Sequence, residues 1–424
     1  MDKQQIAQAM AADACHCLVN TDPAWLDQAD PKGVALVAAD NLIQQDAVCA
    51  AGSRMLYNFR PPFQATGLDR ALAKGYGLIA RCNVGEFGMG PTTTSWYGPT
   101  TLPGGLRSAS GPAMAVAQRI APVALAVDAG GSTLTEAALG GCVAFRPTYG
   151  AASRFGIIAY LSSTEQLCAV AAQLDQAAAL MEAVCGHDEK DATSLAVEHW
   201  DFSTPVDLTG RKVALLCPPQ AGAEWETSLS QAAEQLQAAG LLPERVDLPY
   251  LDLAPLALQV MAAAEGCNNI SRFDGVKYGY RSESYQDMED LYCKSRSQAM
   301  GETAKYTAIL GTYVLSKGRY EQYYYKALQV RGLVKQACNA LFQTYDALLL
   351  PGSVGPAPLL AEATDRFTAD RALTAIPALA GLPVASLPWN NGQLFPLALQ
   401  VAADSGQDRV ALSVATILQG GAKA

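Results

Sequence analysis

Short apolar runs alternate with longer helical stretches along most of this chain, and that alternation constrains the fold more than any other feature. Gly33–Ala38, Gly77–Ala80, Pro122–Val127, Arg211–Cys217, Ala347–Leu350, Pro383–Leu387 and Phe395–Val401 are each strand-length and apolar. Helical spacing is found over 2–17, 67–75, 113–118, 164–184, 224–239, 254–270, 286–299, 319–342 and 407–419. Strands without polar alternation are buried on both faces, and helices between them supply the cover. The expectation is an α/β fold with a central mixed β-sheet covered by helices on both faces. The polar stretch Asp188–Asp191 is too short to mark a boundary, so 1–424 is expected to form a single domain, with a helix-rich cap region around 254–345.

Composition excludes several classes of function. Half of the 424 residues are hydrophobic and 17% are charged, which allows a large core and argues against disorder. A net charge of −10 repels phosphate backbones, so no direct nucleic acid binding is expected. No apolar run reaches a membrane span, and the opening Met1-Asp-Lys-Gln-Gln-Ile lacks the basic and apolar parts of a secretory signal. Eleven irregularly spaced cysteines fit reduced thiols and a cytoplasmic location better than a disulfide framework. His16 lies between Cys15 and Cys17, but without a second such pair this is weak support for a metal. Neither a metal nor an organic cofactor is expected.

The strongest chemical signal is Ala126-Val-Asp-Ala-Gly-Gly-Ser132. Gly130 and Gly131 permit a tight turn, and the N–H groups of Ala129, Gly130 and Gly131 are candidate oxyanion donors. An ordinary Gly-Gly turn after a core strand would read the same way. A serine nucleophile needs a base, and the only three histidines, His16, His187 and His199, lie in segments without a catalytic pattern. A Ser-His-Asp triad is disfavoured, and a serine–lysine device is the natural alternative.

These residues resemble the amidase signature family, in which a lysine motif, a serine-rich segment and a Gly-Gly-Ser segment follow one another. Leu106-Arg-Ser108-Ala-Ser-Gly-Pro-Ala-Met-Ala-Val-Ala117 aligns with the second without a gap, placing Ser108 at the bridging serine. A register on Pro103-Gly104-Gly105 breaks the spacing. Further stretches resemble the branch formed by the A subunits of tRNA-dependent (aspartyl/glutamyl-tRNA) glutamine amidotransferases. They include Ala51–Phe59, Asn83–Gly90, Arg154–Tyr160, Phe273–Arg281, Leu310–Ser316 and Ala380–Pro388. The resemblance implies amide hydrolysis through a Ser-Ser-Lys device, with Ser132 as nucleophile, Ser108 as relay, glutamine as a small amide substrate, and amidotransferase B and C subunits as partners.

Departures from the pattern weigh against turnover. Gly33-Val-Ala-Leu-Val-Ala-Ala39-Asp40-Asn41 aligns on the lysine motif with alanine at the lysine position. Loss of a general base removes a factor of about 10²–10⁴. Arg81 stays protonated and cannot serve, and Lys32 and Lys74 are the remaining conceivable amines. Thr307 stands where the resemblance implies an arginine for the glutamine carboxylate, Ala372 where it implies an acidic residue, and Thr133-Leu134 where an arginine follows Gly-Gly-Ser. Two readings follow: a catalytically impaired amidase or glutaminase, or a non-catalytic pseudo-amidase with a binding or scaffold role in a larger complex.

Overall fold

The computed structural model describes residues 2–30, 32–390, 392 and 394–421. Its strands are β1 (Leu18–Asn20), β2 (Val34–Ala39), β3 (Tyr76–Cys82), β4 (Val123–Asp128), β5 (Val143–Arg146), β6 (Gln166–Ala171), β7 (Lys212–Leu215), β8 (Leu242–Arg245), β9 (Ala347–Pro351), β10 (Val384–Trp389) and β11 (Leu397–Ala403). All join one sheet in the order β1-β3-β2-β4-β6-β5-β10-β11-β9-β7-β8. Pairing is parallel for β2 with β3 and β4, and for β7 with β8 and β9. It is antiparallel for β4 with β6, β5 with β6 and β10, and β11 with β9 and β10. The sheet is therefore mixed, and the fold is α/β as the alternating pattern requires.

The central strands are mostly apolar because both faces are covered. Every residue of β4 is buried, as is every residue of β6, β9 and β11. One expectation fails here. The segment 164–184 is not a single helix: Gln166–Ala171 pairs with β4, and only Leu174–Val184 is helical. The run Leu-Cys-Ala-Val-Ala has no polar residue to reveal its period, so strand pairing on both sides decides its conformation.

The helices that bear on the site are α1 (Gly111–Ala117), α2 (Ser132–Leu139), α3 (Leu253–Ile270), α4 (Glu302–Leu315), α5 (Tyr324–Leu341) and α6 (Ala363–Ala380). Of these, α2, α4 and α6 lie outside the helical stretches that spacing alone marks out. Helix α3 packs against α4, α5 and α6, and α6 also reaches α2. None of the helices among the described residues is long and apolar enough to cross a membrane. Nor does any group of three or more His, Cys, Asp or Glu among those residues suit a metal ion.

Candidate active site

Strand β4 ends at Asp128, and a short turn later Ser132 opens α2. Gly131 between them has φ of 90°, in the left-handed region that favours glycine. A Cβ there would come within 2.4 Å of Thr374 Cβ. Gly131→Ala is accordingly expected to lower stability by about 1–3 kcal/mol, read as a drop in the urea midpoint; an unchanged midpoint would show that the turn can relax.

Asp128 fixes the turn. Its Oδ2 accepts from Gly131 N at 2.9 Å and its Oδ1 from Thr133 N at 2.9 Å. Arg146 Nη1 donates to Oδ2 at 2.7 Å, and both side chains are almost fully buried. The carbonyls of the turn are tied back as well: Thr164 Oγ1 donates to Ala129 O at 2.9 Å, and Thr374 Oγ1 to Gly130 O at 2.6 Å. Of the three expected oxyanion donors, Gly131 N–H is thus engaged by Asp128. Among the described residues, the N–H groups of Gly130 and Ser132 have no partner within the chain. Leu134 is fully buried, and the cation on Asp128 comes from Arg146 at the end of β5.

Two crevices meet at Ser132. One, of about 30 Å³, brings it together with Ser108, Thr135, Glu136 and Asp370. Ser108 is held there by its own N–H, which donates to Pro358 O at 2.9 Å. The other, of about 40 Å³, brings Ser132 together with Ala39, Asn41, Ser110, Glu136 and Glu165. Among the described residues, neither crevice is lined by a lysine or a histidine. Ala39 ends β2, buried, and presents a methyl group where the resemblance implies an amine. Lys32 and Lys74 are exposed. Arg81 is wholly buried and committed: it donates to Asp40 Oδ1 at 3.2 Å, to Ala39 O at 3.1 Å and to Leu42 O. Asn41 Oδ1 is buried and accepts no hydrogen bond from the described residues.

The structure adds three residues to those singled out from sequence. Ser110, at the N-cap of α1, shares a crevice with Ala39, whereas Ser108 faces the other one. Glu136 lies one helical turn after Ser132 and lines both crevices, an i,i+4 relation that the sequence could have shown. Burial, then Asp370 and Asp128, push its carboxyl up to about 8. Burial likewise pushes Asp370 up to about 6. The third residue is Arg371.

A raised carboxyl has a consequence for stability. Between 4.5, the ordinary glutamate value, and about 8, the folded chain holds the Glu136 proton and the unfolded chain has lost it. Its contribution is therefore full below 4.5 and is lost as pH rises towards 8. Glu136→Gln is expected to flatten the decline of stability over that window, where one proton corresponds to about 1.4 kcal/mol per pH unit. Urea unfolding at a series of pH values measures it, and parallel curves for the two proteins would refute it.

Above the crevices opens a cavity of about 480 Å³, between α3, α4 and α6. Thr307 and Ala372, the two positions where the resemblance implies substrate contacts, both line it, as do Tyr160, Phe367 and Arg371.

Ser132 thus stands at a helix N-terminus, on a Gly-Gly turn at the end of a core strand of a mixed sheet. Residues 3–412 match the family model described as Amidase, and the chain belongs to that family. It is 36% identical over 409 residues to the A subunit of glutamyl-tRNA(Gln) amidotransferase from Streptococcus pneumoniae (strain ATCC 700669 / Spain 23F-1), covering 91% of this chain and 82% of that one. The corresponding protein of Enterococcus faecalis (strain ATCC 700802 / V583) is 37% identical over 387 residues, covering 87% and 78%. Among solved structures, the glutamyl-tRNA(Gln) amidotransferase A subunit from Thermotoga maritima superposes with a TM-score of 0.82 at 26% identity, covering 99% of this chain and 91% of that one. The peptide amidase from Stenotrophomonas maltophilia, at 21% identity and TM-score 0.80, covers 100% and 93% and shares the fold.

Proposed function

We propose that this protein is an amidase-family member related to amidotransferase A subunits in which the Ser-Ser-Lys device is broken at the lysine. The observation that carries this reading is the composition of the two crevices at Ser132: among the described residues, hydroxyls and carboxyls line them, and no amine does. A serine hydroxyl is a weak nucleophile until a base removes its proton. Glu136, Glu165 and Asp370 are the titratable neighbours, and burial favours their neutral forms. With its carboxyl pushed up to about 8, Glu136 is mostly protonated at neutral pH and is a poor acceptor for the proton that the missing lysine would have taken.

The turn itself is intact, with Ser132 at a helix start and the N–H groups of Gly130 and Ser132 unengaged among the described residues. The reading is therefore a folded amide-binding cleft without Ser132-dependent hydrolysis. The alternative is a non-catalytic protein that docks partners of the B and C type, favoured by the long similarity to A subunits. Ammonia release from glutamine and from simple amides tests the proposal. The chain and its Ser132→Ala variant are expected to give the same background rate, with or without B and C subunits from the same source. Ammonia release that Ser132→Ala abolishes would overturn it.

A further inference from the structure

Among the described residues, Arg371 is a cation without a counterion. It lines the 480 Å³ cavity, its Nη2 is buried with no hydrogen-bond partner, and no carboxylate there pairs with it. A buried polar group without a partner is unfavourable, and more so when it is charged. The side chain is nevertheless held in place. Its guanidinium carbon stands 5.5 Å from the Phe367 ring centre and 5.9 Å from that of Tyr160. It also packs on the nucleophile turn, since a Cβ on Gly130 would fall 2.8 Å from Arg371 Nε and 3.0 Å from Nη2. Glycine at 130 thus makes room for the guanidinium.

The rest of the cavity is mainly apolar, with Met89, Leu258, Ala262 and Ala372 among its walls. The one carboxylate among its described lining residues, Glu302, is exposed at the rim and makes no ion pair with Arg371. An oriented guanidinium at the base of an apolar chamber of this size is a recognition element for a planar anion, because its paired N–H groups match a carboxylate's two oxygens.

We infer that the cavity binds a small carboxylic acid with an apolar body, its carboxylate paired with Arg371 beside the Gly130-Gly131-Ser132 turn. The ligand is placed by charge at the base of the chamber and by burial of its apolar part against α3 and α6. This assignment goes beyond the proposed function and does not depend on it, because it concerns binding and not hydrolysis.

Calorimetric titration with 3-phenylpropionate and hexanoate, and with the matching amides 3-phenylpropanamide and hexanamide, tests the inference. The unmodified chain is expected to bind each acid at least tenfold more tightly than its amide. Arg371→Met keeps the stem but removes the charge, and it is expected to reduce acid binding to the level of the amide while leaving the amide unchanged. Equal binding of acid and amide by the unmodified chain would overturn the assignment, as would failure to bind either. Undiminished acid binding by folded Arg371→Met would do the same. The comparison of acid with amide needs no variant, so the test survives if Arg371→Met fails to fold. A failure here leaves the ammonia-release test of the broken device untouched.

Discussion

Ala39→Lys is expected to raise ammonia release from an amide by about 10²–10⁴-fold over the unmodified chain, the usual worth of a general base. The side chain would leave the end of β2 and enter the crevice that already holds Ser110 and Ser132. Asn41 Oδ1, buried there without a donor among the described residues, is available to accept from the new amine. Desolvation lowers a lysine's pKa and favours the neutral amine that a base requires. The gain should vanish in Ala39→Lys/Ser132→Ala. The same background separates the two candidate relay serines: the relay is the one whose replacement by alanine removes the gain, Ser108 from the 30 Å³ crevice or Ser110 from the crevice that Ala39 lines. If Ala39→Lys folds and binds an amide yet releases no ammonia, the missing lysine is not what silences this site.

Replacing Arg146 by methionine is expected to cost about 3–5 kcal/mol, the largest single stability loss at the site. The reason lies in what remains. Asp128 would keep its charge at a fully buried position, having lost a partner at 2.7 Å. Arg146 Nη2 also donates to Pro377 O at 3.3 Å and to Leu382 O at 3.2 Å, so the variant unties α6 from the end of β5. Adding Asp128→Asn should recover part of the loss, because it removes the stranded charge, and the two changes should be far from additive. Urea unfolding followed by circular dichroism gives the values, with a check for intermediates in a chain of this size. A loss below about 1 kcal/mol for Arg146→Met would mean that water or a rearranged donor reaches Asp128.

What the sequence could reveal was local. The alternation of strands and helices implied a covered mixed sheet, because each element's own period shows which faces are buried. Gly130 and Gly131 announced a tight turn after a core strand, because glycine adopts backbone geometries closed to other residues, and Ala39 stands where the resemblance implies a lysine. Segment 166–171 reads as helix from its neighbours and folds as strand, because an all-apolar run has no period and its partners β4 and β5 are separate elements.

The tertiary structure decided the rest. It moved Arg146 onto Asp128, set Ser108 and Ser110 in separate crevices around Ser132, and raised the carboxyls of Glu136 and Asp370 by burying them. It also carried Arg371, on a helix that residue spacing does not announce, to the back of Gly130. A side chain's charge partner and its degree of desolvation depend on packing between elements far apart in sequence, and no local pattern of residues encodes them. The sequence by itself determined the scaffold and the alanine at position 39; only packing in three dimensions decided which groups surround Ser132 and which cation stands beside its turn.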